Sequence, residues 1–157
     1  MRQKIFSLGH DFTIKDENGI DAFFVDGKAL SLGHKLSFQD MNGRELAFIK
    51  QKLLSWGPTY EVYVGDQLMS VVKKELFTLF KCRFHVDVPG PEDLEAEGDF
   101  WEHEYSFQRG NELVGSVSKR FFSWSDTYGI DVRNPEDTVL VLTSAIVIDL
   151  ACHHEEK

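Results

Sequence analysis

The chain has little that would staple or anchor it. It carries two cysteines, Cys82 and Cys152, far apart, with no CxxC pair and no N-x-[ST] acceptor. A secreted disulfide framework is therefore not expected, and both thiols read as reduced core residues. No run of about 18 apolar residues is present, so no helical membrane span is expected. The opening MRQKIFSLGH has too short an apolar stretch for a signal peptide. A soluble, cytoplasmic protein is the expectation. Basic residues are also few: 17 Lys and Arg stand against 26 Asp and Glu, a formal charge of -9. An acidic body repels phosphate backbones at long range, so nucleic acid is not an expected partner.

Catalytic signatures are missing too. There is no G-x-S-x-G, and GNELVGSV, starting at Gly110, has glycines at phosphate-loop spacing without the Lys-Ser/Thr that should follow. HEYSF, starting at His103, lacks the second His that zinc needs on one helical face. The expected role is non-catalytic, with no cofactor.

Period-two alternation fills the chain up to residue 133, in short runs broken by Gly, Asn, Asp or Pro. That pattern predicts an antiparallel all-β domain. Strands are predicted over 2–8, 11–16, 20–26, 35–40, 45–52, 59–64, 67–75, 83–88, 94–100, 103–109, 112–120 and 128–133. ENG (17–19), MNG (41–43), VGDQ (64–67) and RGNE (109–112) supply turn residues tolerant of positive φ.

The last segment differs. Asn134 as a cap, Pro135 at the first helical position and Glu136 and Asp137 in the first turn predict a helix over about 135–152. From Val139 to Cys152 it is apolar on every face, interrupted only by Thr143, Ser144 and Asp149. The rival is a buried strand, which the length and the helix-start residues disfavour. An all-apolar helix too short for a bilayer must be surrounded by protein, and a closed sheet can do that. About twelve strands leave an interior too wide for side chains alone, and the helix would fill it. At 1.5 Å per residue its apolar part runs roughly 21 Å, about the height of a barrel of tilted six- to eight-residue strands. One domain over residues 1–157 is expected.

The chain also repeats itself. LLSWGPTYEV (53–62) returns without a gap as FFSWSDTYGI (121–130), with Ser, Trp, Thr and Tyr identical. Each copy reads as a strand ending in an apolar pair, a tight turn and a returning strand. Tyr60, Val62 and Val64 share one face, as do Tyr128, Ile130 and Val132. Two pseudo-repeated halves follow.

The strand series, the repeated SW..TY hairpin and the terminal helix PEDTVLVLTSAIVIDL together resemble the LURP-one-related family of the tubby C-terminal-like superfamily, over nearly the whole chain. The resemblance implies a twelve-stranded barrel threaded by a hydrophobic C-terminal helix, with tubby proteins and phospholipid scramblases as relatives. It implies a binding or scaffold module, for a lipid headgroup or a membrane-associated partner. Tubby proteins hold a phosphoinositide headgroup with basic residues of the barrel surface, and no motif here maps those residues one by one.

Several residues compete for a role. Lys50, Lys52, Lys73, Lys74, Lys119 and Arg120 lie nearest the repeated turns and would make a local anionic-headgroup site if they converge; the plainer reading is solvated faces and edge protection. Trp56 and Trp124 would either dip into a bilayer interface or cap the barrel end, and capping is expected. The eight acids from Asp87 to Glu104 fit no EF-hand loop and read as a solvated loop and edge strand. His85 and Asp87 share a strand face, and with His103 they are the residues that a metal enzyme would use. Protein interaction through a strand edge or the acidic stretch is a third reading.

Overall fold

Alternation becomes strand pairing wherever the sequence shows it. The computed structural model describes residues 2–8, 11–28, 35–53, 55–76, 82–90, 92–119 and 128–153. The strands are β1 (Arg2–Leu8), β2 (Asp11–Lys15), β3 (Asp21–Lys28), β4 (Lys35–Asp40), β5 (Glu45–Gln51) and β6 (Thr59–Val64). They continue as β7 (Gln67–Leu76), β8 (Cys82–Asp87), β9 (Leu94–Asp99), β10 (Glu104–Arg109), β11 (Glu112–Ser118) and β12 (Tyr128–Val132). Each pairs antiparallel with its neighbours in sequence, and β1 also pairs with β12, Gln3 opposite Ile130, so the order closes on itself as a barrel.

Closure corrects two expectations. Lysines cannot be guarding an open edge, and the acidic β9 is not an edge strand, since it is paired with β8 and β10. The acids are engaged besides: Glu97 lies 3.4 Å from Arg83, and Asp99 accepts the Glu102 amide at 3.0 Å.

Turn chemistry acts as the sequence foretells. Asp16 accepts the amides of Asn18 and Ile20, and Asp40 those of Asn42 and Arg44, with Gly19 and Gly43 in the left-handed region. Side-chain acceptance of this kind pins a two-strand connection locally.

A 3₁₀ turn, Pro135–Asp137, leads into α1 (Thr138–His153). Asn134 has the extended backbone of a cap but makes no side-chain cap bond. Its place is filled by backbone bonding from Asp137 to the Asn134 carbonyl and by Thr138 Oγ1 donating to the Pro135 carbonyl. Asp137 turns aside to accept Arg109 Nη2 at 2.9 Å. Every residue of α1 from Leu140 to Cys152 is buried. The helix touches β5 and β7 in one half of the order and β11 and β12 in the other. It therefore lies between the halves, against inward residues such as Ile49, Val72, Val117 and Ile130.

Gly115, from the GNELVGSV segment, has a packing role: a Cβ there would sit 3.0 Å from Val141 Cγ1 and 3.0 Å from the Asp131 carbonyl. The glycine lets helix and sheet approach. Cys152 is buried as expected, whereas Cys82 is only half-buried, and neither is in a disulfide.

Candidate functional site

The connections of a meander alternate between two ends. The helix enters where β10 meets β11, beside Arg109, and exits where β9 meets β10, beside His103. The turn Lys52–Pro58, between β5 and β6, belongs to the exit end. Its backbone closes with the Lys52 amide on the Thr59 carbonyl at 2.8 Å, and the Lys74 amide donates to the Pro58 carbonyl at 3.1 Å. Ser55 Oγ reaches the carbonyls of Lys52 and Gly57, and Gly57 takes φ +80°. A serine that bonds both flanks of a turn fixes its shape.

That turn holds Trp56 outward, fully exposed at 103%, with Leu53 exposed beside it at 58%. Trp56 does not cap the barrel end. The expectation failed because burial resumes only at Thr59 and Tyr60, after the glycine-bearing turn, while the turn itself leaves Leu53 and Trp56 in solvent. Trp124 lies outside the described residues. On the returning strands Tyr60, Val62, Tyr128, Ile130 and Val132 are buried as expected, while Val64 is exposed at the end of β6.

The basic residues do not form one site. Lys50 and Lys52 lie on β5 and in its turn, with Lys73 and Lys74 on β7, where Lys73 pairs in register with Thr59. Successive strand residues face opposite sides, so Lys73 points outward and Lys74, half-buried, is on the inward side near the barrel end. Among the described residues these four make no ion pair. Lys119 follows β11, separated from β5 by β6 to β10 on one side and by β4 to β1 and β12 on the other. Its ammonium lies 3.5 Å from Glu102. Arg120 lies outside the described residues. The repeated hairpins are thus on opposite sides of the barrel, which separates their lysines.

The histidines likewise part company. His85 Nδ1 meets Glu95 Oε1 at 2.5 Å and Nε2 meets Asp93 Oδ2 at 3.1 Å, while Asp93 also accepts the Val88 amide. Burial alone would lower the His85 pKa, but the hydrogen bond and charge of Glu95 and the charge of Asp93 outweigh it and hold it above the ordinary value. Asp87 is exposed and apart from these contacts. His103 instead sits 3.1 Å from the buried Asp149 of α1 and stacks on Tyr128, ring centroids 4.2 Å apart. The set His85, Asp87 and His103 is therefore not one metal site, and no cluster of three ligating residues occurs among the described residues.

Asp149 is the residue that sequence reading passed over. It accepts from His103, which takes a left-handed φ of 54° to reach it. Burial, and then its charge, push the phenols of Tyr105 and Tyr128 well above the usual range. The one available signal was a lone carboxylate in an otherwise apolar helix, which must find a partner.

Comparison with known proteins places the chain. The family model described as LURP-one-related matches residues 1–149. An uncharacterised protein of Bacillus subtilis, YxjI, is 35% identical over 156 residues, covering 99% of this chain and 94% of its own. The X-ray structure of a protein from Arabidopsis thaliana superposes with a TM-score of 0.69 at 16% identity, covering 94% of this chain and 88% of that one. At that identity the likeness is one of fold.

Proposed function

The chain belongs to the LURP-one-related family, and from that premise we propose that it is a non-catalytic binding module, recognising anionic lipid headgroups with its outer surface. The observation that carries this reading is the group Lys50, Lys52 and Lys73, exposed around the β5–β6 turn with Lys74 half-buried beside them, on a protein of net charge -9. Local charge, not net charge, decides attraction to an anionic surface, at about 1 kcal/mol per nearby lysine. The helix occupies the interior, so ligands are taken on the outside. The tubby C-terminal-like relationship and a cytoplasmic setting form part of the same reading. No helix is long and apolar enough to cross a membrane among the described residues, which suits a peripheral role.

The test is co-sedimentation with vesicles of phosphatidylcholine alone and of phosphatidylcholine mixed with phosphatidylglycerol. Binding to the mixed vesicles only, weakened by salt, is the expected result. Equal retention by both, or by neither, would contradict it.

A further inference from the structure

Both ends of the barrel expose apolar side chains, and local charge tells the groups apart. At the exit end itself, Trp101 stands in the β9–β10 connection beside Asp99 and Glu102, which an anionic surface would repel. At the entry end, Ile20, Met41, Val64 and Leu68 are exposed on three neighbouring turns. Those turns carry the acids Asp16, Glu17, Asp40 and Asp66, with Arg44 as the counterweight. An anionic surface would repel them. At the exit end, Leu53 and Trp56 project from a turn that contains Lys52 and abuts Lys73 and Lys74, with Glu61 and Glu75 the nearest strand acids.

We propose that the Lys52–Pro58 turn is a bilayer anchor, in which Trp56 and Leu53 enter the interface of an anionic membrane while Lys52, Lys73 and Lys74 meet its headgroups. The inference rests on the headgroup reading and adds the occupant and the inserting residues. Three features support it. A tryptophan is an interfacial residue by chemistry, with an apolar body and an indole N–H that stays with water and headgroups. The turn is pre-shaped by the Ser55 and Gly57 bonds, so insertion orders few further bonds. Cations flank the apolar tip, the pairing that binds amphipathic surfaces to anionic lipid.

The experiment uses the full chain, phosphatidylcholine vesicles with and without phosphatidylglycerol, and the variants Trp56→Ser and Leu53→Ser. Both positions are exposed, so both variants should fold; equal thermal midpoints verify it. Wild-type protein is expected to bind mixed vesicles with a blue shift of its tryptophan emission. Trp56→Ser should abolish the shift and weaken binding about tenfold or more, and Leu53→Ser should weaken it less. If the variants bind mixed vesicles as tightly as wild type, and the shift is absent or persists in Trp56→Ser, the anchor is wrong while the headgroup reading stands. If wild-type protein ignores mixed vesicles, both fall.

Discussion

The helix Thr138–His153 and the turn Lys52–Pro58 are both written in apolar residues, and the fold treats them oppositely. The helix is buried from Leu140 to Cys152, whereas the turn leaves Trp56 wholly in solvent. Hydropathy alone does not decide burial. A helix apolar on every side can lower its free energy only by being enclosed, and the closed strand order encloses it. A turn residue has no second face to bury, and its direction follows from the Ser55 hydroxyl donating to the Lys52 and Gly57 carbonyls. One element should therefore carry stability and the other should be nearly free of it.

Substitutions can break or sharpen that contrast. The largest effect is expected from Ile146→Asp or Val141→Asp, each of which would bury an unpaired charge at a position with no exposure. Neither should fold, and circular dichroism of a cooperative, native-like Ile146→Asp protein would sink the enclosed-helix account. Next comes Asp149→Ala, which removes the carboxylate 3.1 Å from His103 Nε2. A loss of about 1–3 kcal/mol in urea unfolding is expected, because a largely buried hydrogen-bonding group loses this acceptor. Gly115→Ala should cost about 1–3 kcal/mol, since the added methyl would sit 3.0 Å from both Val141 Cγ1 and the Asp131 carbonyl, closer than ordinary van der Waals contact.

A smaller effect concerns pH. His85 has its pKa raised in the folded state by Glu95 and Asp93, against the pull of burial. Its charged contacts thus add stability below the unfolded value near 6.5, and that addition disappears as pH rises through the higher folded value. Midpoints measured between about pH 6 and about pH 8 should fall less in His85→Gln than in the wild type. The smallest is Trp56→Ser, expected within about 0.5 kcal/mol of wild type in stability. A large loss there would mean that the tryptophan packs after all.

Periodicity made most of this fold legible. Strand bounds follow the alternation to within a residue or two, because inward positions such as Ile49, Val62 and Phe107 must be apolar and their neighbours need not be. The helix was legible from Pro135 and the unbroken apolar run. The candidate site was far less so. That Lys73 and Lys74 face opposite sides is a period-two fact, but that Lys119 stands across the barrel from Lys50 requires the strand order. Pairings such as His103 with Asp149, 46 positions apart, are set by three-dimensional closure and leave no local pattern. The acidic stretch misled for a related reason: charge density reads as solvation, while Asp93, Glu95 and Glu97 are held by partners on β8.

Hydrogen exchange read by mass spectrometry, peptide by peptide under native conditions, tests the contrast most directly. The account predicts that amides of Leu142–Cys152 exchange only with global unfolding, among the slowest in the protein, while those of Leu53–Gly57 exchange early. Helix amides that exchange as fast as the turn would contradict it.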